Sequence, residues 1–159
     1  MKITVRPAEF KDLVKVYKLF SGILEGLPYY NTLAKTHELQ KYTPLKLQEK
    51  ISQDPYSVLV ALDDAENIIG FCFNHFDDYT IWIDWFGVDS LMRRKGVAIA
   101  ILKAVFESAK KRGAHKVWCD TRSNNEPSKS LLRKAGFKEI VEIKNHWYKQ
   151  DFILWERVL

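Results

Sequence analysis

Cysteine is scarce in this chain, with Cys72 and Cys119 the only two among 159 residues. Two thiols exclude a disulfide framework, and neither has a His or Cys at a zinc-like spacing. The four histidines, His37, His75, His115 and His146, are scattered and never pair on one helical turn, so no metal ion is expected. Long apolar runs are lacking as well: nothing approaches the roughly 18 to 20 apolar residues that span a bilayer. The opening stretch MKITVRPAEF has no apolar signal core, which points to a cytoplasmic protein with no membrane partner. With no repeats, no low-complexity tract and no linker between separable halves, one domain over residues 1–159 is expected.

What the chain does have is a core and a positive balance. Hydrophobic residues make up 47% and charged residues 28%, the composition of a folded protein rather than a disordered one. Lys and Arg number 25 against 20 Asp and Glu, a formal net charge of +5. Such an excess favours a polyanionic partner: nucleic acid, an anionic membrane or a phosphorylated cofactor. The aromatic residues follow no recognised RNA-binding pattern, and the basic ones concentrate at one loop and one helix, so no nucleic acid is expected.

Lys2–Arg6 alternates like a short strand that Pro7 ends. From Ala8 onward, Phe10, Leu13, Val14, Tyr17 and Phe20 recur at helical spacing. Glu25 to Tyr30 reads as a loop rich in breakers and aromatics. Helical residues follow, interrupted by Thr43-Pro44 as an N-cap and first-turn proline. The period then changes to two. Ser57–Leu62, Ile68–Phe76 and Tyr79–Val88 read as an antiparallel meander of three strands. A helix with Ile99, Leu102, Phe106 and Ala109 on one stripe comes next, closed by Gly113. His115–Thr121 is strand-like and Pro127–Ala135 helical, stopped by Gly136. Phe137–Glu142 and His146–Arg157 read as a closing pair of strands, and the class is α+β.

The segment with the most chemistry runs from Phe86 to Ala98. A strand ends, a short basic turn with Arg93, Arg94 and Lys95 follows, and a helix opens on Gly96, Val97 and Ala98. Free N–H groups at a helix N-terminus, with the helix dipole behind them, attract anions. Gly96 and Ala98 lack bulk, so a pyrophosphate can approach the backbone; the plainer alternative is a basic turn that only caps the helix.

The Arg-x-x-Gly-x-Ala pattern in this setting resembles the acetyl-CoA signature of the GCN5-related N-acetyltransferases (GNAT). Further on, Asn125-Glu126-Pro127-Ser128 and Lys134-Ala135-Gly136-Phe137 are similar to that family's second block. Val5-Arg6-Pro7-Ala8 with Asp12 resembles its opening, and His146 to Arg157 its last strand. The resemblance covers nearly the whole chain, in order.

It implies a GNAT-like mixed, strongly twisted β-sheet flanked by helices, splayed into a V between the fourth and fifth strands. Acetyl-CoA would be the cosubstrate, with its pantetheine arm in the V against the backbone of Phe86 and Val88. Its pyrophosphate would sit on the turn from Arg93 to Ala98, with Asn125 on the other side and Lys134 toward the adenine or 3′-phosphate. The implied reaction is direct acetyl transfer to a primary amine of a small molecule or protein, and dimers are common among such proteins, so a homodimer is in view. Tyr29 and Tyr30 resemble the variable segment over the acceptor site, although plugging that loop onto the core is the plainer use of such aromatics. One departure stands out: the position where the family commonly carries a Tyr proton donor holds Leu132. The alternative function is therefore a catalytically silent acyl-CoA-binding domain.

An ammonium must lose a proton before it can attack a thioester. Asp84, between tryptophans in Trp82-Ile83-Asp84-Trp85-Phe86, is the favoured base. Counting by two places it on the face of Phe86 and Val88, and apolar surroundings would raise its pKa. The alternative is a solvated or Arg-paired strand carboxylate. Asp120 and Glu126 are further candidates, and Tyr148 a distant substitute donor. His75 and His146 read as core or surface histidines.

Overall fold

The computed structural model describes all 159 residues. Seven strands form one sheet: β1 (Thr4–Pro7), β2 (Val58–Leu62), β3 (Ile68–Asp77), β4 (Thr80–Val88), β5 (Lys116–Arg122), β6 (Lys138–Ile143) and β7 (Phe152–Val158). Their spatial order is β1-β2-β3-β4-β5-β7-β6. Every neighbouring pair is antiparallel except β4 and β5, which run parallel. The helices are α1 (Leu13–Gly26), α2 (Thr32–Lys41), α3 (Pro44–Gln53), α4 (Val97–Lys111) and α5 (Glu126–Lys134).

Two apolar cores lie on opposite faces of the sheet. On one, Ile101, Leu102, Val105 and Phe106 of α4 pack with Ile81, Ile83, Val117 and Trp155. On the other, Val16, Phe20 and Leu24 of α1 and Leu47 of α3 pack on Val60, Phe71 and Phe73. The expected stripe on the first helix is only half right. Leu13 and Phe20 are buried, but Phe10 and Val14 are exposed, and Val16 and Leu24 complete the buried face. The helix also begins later than Ala8. Asp12, ion-paired to Arg6 at 2.7 Å, accepts the Glu9 N–H and holds a single 3₁₀ turn there first.

A second correction concerns the last strand. It starts at Phe152, not His146. Residues 144–151 form a loop in which Asn145, Tyr148 and Lys149 adopt positive φ of 48°, 55° and 60°. Non-glycine residues rarely take this left-handed conformation. Here it turns Trp147 and Tyr148 over the sheet instead of into it.

The feature that positions the site is the short pairing of β4 with β5. Only Thr80–Trp82 and Lys116–Trp118 are in register. From Ile83 and Cys119 onward the facing edges have no strand partner, and the sheet opens into a V.

Candidate active site

A cavity of about 630 Å³ occupies the V and extends beneath α2 and the loop after β6. Phe86, Gly87 and Val88 line it from β4, Cys119 and Asp120 from β5, and Ala98 from the start of α4. Hydrogen bonds strap its outer wall. Asn31 Nδ2 donates to the Tyr148 carbonyl at 2.9 Å, Gln150 Nε2 to that of Tyr29 at 3.2 Å, and Arg122 Nε to Tyr29 as well at 2.9 Å.

The turn from Arg93 to Ala98 has the properties of an anion cradle. Gly96 sits at φ +85° with open space where a Cβ would go. The first bond within α4 is Ala100 N–H to the Gly96 carbonyl, which leaves the N–H groups of Val97, Ala98 and Ile99 free for a ligand. Arg93, Arg94 and Lys95 are exposed and none pairs with a carboxylate. Val97 differs: its side chain is buried in the core, so only its backbone faces the turn. Across the V, Asn125 caps α5 through Oδ1, which accepts the Ser128 N–H at 3.2 Å, and it lines the cavity. Lys134 lies two turns further along α5, exposed and outside the cavity.

On the acceptor side, the expectation for Asp84 fails in two respects. Phe73 pairs with Trp85 while Asn74 pairs with Ile83, so Asp84 is the extra residue of a β-bulge. A bulge breaks the alternation of faces. Phe86 and Val88 pack against the α4 core, whereas Asp84 turns to the other face, toward Lys50 of α3 at 3.2 Å and His75 Nδ1 at 3.0 Å. Nor is its pKa raised. Burial pushes the carboxyl up, but the His75 hydrogen bond and the Lys50 charge outweigh it and hold Asp84 below the usual carboxylate range. It is a paired carboxylate, with Lys and His partners rather than Arg.

Asp120 has the character expected of Asp84. It lies on the unpaired part of β5, lines the cavity and has no cationic side chain within ion-pair distance. Burial raises its carboxyl to about 6; the indole N–H of Trp147, at 2.8 Å, pulls the other way, and the charges of Glu38 and Asp84 add to the rise. Glu126 is outside the cavity, ion-paired to Lys129 at 2.7 Å.

Two residues that sequence reasoning missed complete this end. Glu38 of α2 is buried and accepts hydrogen bonds from Trp85 Nε1 at 2.9 Å and from the Tyr148 hydroxyl. His37 Nδ1 sits 2.7 Å from the same hydroxyl. Since the phenol donates to Glu38, the imidazole N–H donates to the phenol oxygen. Burial and the Glu38 charge raise the Tyr148 pKa. Tyr30 lines the wall with its ring 5.2 Å from that of Trp85, and burial raises its pKa. Tyr29 contributes a carbonyl to the strap as well as cavity wall. No spacing in the sequence links Glu38, Asp120 and Tyr148, which come from three distant segments.

Leu132 is wholly buried in the α4-side core and does not line the cavity, whereas its neighbour Leu131 does. Leu132→Tyr is therefore expected to overpack, not to supply a donor. Extra core bulk typically costs about 1–3 kcal/mol, a loss of about 2–10 °C in Tm at this size. Thermal unfolding beside a rate measurement would show a lower Tm with no gain in turnover.

A parallel strand pair that opens beside a helix start with free N–H groups, above a chamber holding a buried carboxyl, is an arrangement suited to a transferase that uses a phosphate-bearing thioester. The acetyltransferase (GNAT) family profile matches residues 20–137, and the chain belongs to that family. Solved structures share the fold across the whole chain. Ard1 from Thermoplasma volcanium is 20% identical with a TM-score of 0.81, covering 100% of this chain and 99% of that one. Ribosomal-protein-alanine N-acetyltransferase from Brucella melitensis is 20% identical with a TM-score of 0.78, covering 98% and 99%. A chain of the NatC complex bound to Gag peptide and CoA is 17% identical with a TM-score of 0.79, covering 100% and 99%. No curated protein matches the sequence. The chain is an N-acetyltransferase, and nothing supports the silent acyl-CoA-binding alternative.

Proposed function

We propose that this acetyltransferase moves the acetyl group of acetyl-CoA directly onto a primary amine, with Asp120 as the base. The observation that carries the reading is the position of Asp120: an elevated, cation-free carboxyl on the open edge of β5, facing the edge of β4 across one continuous cavity. Bound in the V, acetyl-CoA supplies the activated acyl group. Phe86 and Val88 offer unpaired backbone groups to its pantetheine arm, and backbone N–H there can stabilise a developing oxyanion. The turn from Arg93 to Ala98 and the Asn125 side chain take its phosphate-bearing part. Ionised Asp120 accepts the proton of the incoming ammonium at a carboxylate oxygen, so that neutral nitrogen faces the acyl carbon. Leu132 and Leu131 cannot protonate the departing thiolate. A thiol pKa on the scale of about 8.5 lets it leave unaided or through water.

The acceptor is the amine of a small molecule or a peptide. A peptide acceptor is supported by the structure of the NatC complex bound to Gag peptide and CoA, which contains a chain of this fold. A cytoplasmic setting belongs to the same reading, supported by two free, buried cysteines.

Thermal unfolding with and without acetyl-CoA, followed by a thiol-release assay over an amine panel, tests the proposal. A ligand at 100 times its Kd adds about 2.7 kcal/mol, or about 5–10 °C here. Unchanged unfolding at millimolar acetyl-CoA would refute the cofactor assignment. Equal shifts with dephospho-CoA would remove the 3′-phosphate from the role given to Lys134.

A further inference from the structure

The chain is basic overall, yet the acceptor end of its cavity is acidic. Three carboxylates, Glu38, Asp84 and Asp120, line it, and they are not treated alike. Asp84 has two basic partners, Lys50 and His75. Glu38 and Asp120 have none: their donors are the neutral indoles of Trp85 and Trp147 and the phenol of Tyr148. On α2, Lys41 also lines the cavity, but its ammonium lies 5.5 Å over the Tyr42 ring and forms no ion pair with Glu38.

An ionised carboxylate has about four acceptor positions. Glu38 uses two, one for Trp85 and one for Tyr148, and so retains capacity for a third donor. Burying it without a counter-charge is costly, and a cation arriving in the cavity relieves that cost. The walls suit a cation with an apolar stem. Tyr30 and Trp85 pack ring to ring at 5.2 Å on this side, and aromatic faces attract ammonium groups. Glu38 and Asp120 line the same cavity, hydrogen-bonded by the adjacent residues Tyr148 and Trp147, so one short molecule can reach both.

We propose that the acceptor carries two positive charges: one ammonium at Asp120, where it is acetylated, and a second at Glu38, where it is held. The chemical class is a short aliphatic diamine. The straps from Asn31 and Gln150 close the outer wall over this end, which favours a small, slender acceptor. This rests on the proposed acetyl transfer and adds Glu38 as the residue that sets specificity.

The experiment compares diaminobutane and diaminopentane with butylamine and pentylamine as acceptors at saturating acetyl-CoA, on wild type and Glu38→Gln. A charge-assisted hydrogen bond at a buried site predicts a preference for the diamine of about 10- to 100-fold in kcat/KM, expressed mainly in KM. In Glu38→Gln, which still accepts from Trp85 or Tyr148, the diamine-to-monoamine ratio should collapse toward one. A wild-type ratio near one overturns the inference without any variant, and so does a ratio that survives in Glu38→Gln. Turnover of monoamines with no diamine preference would leave the acetyltransferase reading standing. No turnover of any amine, while acetyl-CoA still shifts the melting point, would overturn both.

Discussion

Asp120→Asn is expected to lower kcat/KM by about two to four orders of magnitude, the usual contribution of a positioned general base. The amide is nearly isosteric and its carbonyl oxygen still accepts the Trp147 N–H, so the loop after β6 stays in place and acetyl-CoA binding is unaffected. The wild-type rate should rise through about pH 6 as Asp120 ionises, and that limb should vanish in the variant. Glu38→Gln should move the limb to lower pH, because one of the charges that raise the Asp120 pKa is then gone. Stability gives a second readout. A carboxyl whose folded pKa lies above its unfolded value binds its proton more tightly in the folded state. Wild type therefore loses stability as pH rises from the unfolded value near 3.8 to about 6, and is level above that. Asp120→Asn removes this loss, so the variant should melt higher than wild type at pH 7–8 and lose that advantage in acid. A variant with wild-type turnover would exclude Asp120 as the base. Slow turnover with an unchanged pH profile would reduce it to a structural residue.

The choice between Asp84 and Asp120 shows where sequence reading stops. A carboxyl raised by burial does lie in the cavity, but it is Asp120, whereas Asp84 is held low by its partners. Two physical reasons account for the difference. Strand alternation is a reliable guide only while the ladder is regular, and the bulge opposite Phe73 and Asn74 shifts Asp84 to the other face. Its neighbours then come from α3 and β3, and no local spacing announces Lys50 or His75. The turn from Arg93 to Ala98 was more legible because its character is local and mainly a matter of backbone. A glycine, a helix start and three basic residues within six positions define it locally, wherever the rest of the chain goes. The acceptor chamber is assembled from α2, β5 and the loop after β6, and its loop conformation depends on left-handed residues such as Asn145 and Tyr148 that carry no glycine signal. Alternation likewise carried the last strand back to His146, because Trp147 and Tyr148 look like strand residues until their hydrogen bonds to Asp120 and Glu38 are seen.

Gly96→Glu is expected to weaken acetyl-CoA binding by at least about a hundredfold, near 2.7 kcal/mol, with the fold retained. Two effects separate cleanly at this position. The left-handed backbone at φ +85° disfavours any L side chain by about 1–2 kcal/mol, which lowers Tm by a few degrees. Packing adds nothing, because no atom lies within 4 Å of the new Cβ. The binding loss has a different origin. A carboxylate at the head of α4 competes for the free N–H groups of Val97, Ala98 and Ile99, offsets part of the charge of Arg93 to Lys95, and repels a pyrophosphate. Gly96→Ala carries the backbone strain without the charge, so it should share the modest fall in Tm and keep most of the affinity. Calorimetric titration of acetyl-CoA into all three proteins distinguishes the contributions. Affinity should also fall with added salt in wild type, because the three basic side chains are exposed and their attraction is screened over about 8–10 Å at ordinary ionic strength. That salt dependence should be shallower in Gly96→Glu, where the local positive charge is already reduced. Equal affinity in Gly96→Glu and wild type would mean that the phosphates sit elsewhere and that the basic turn only caps its helix.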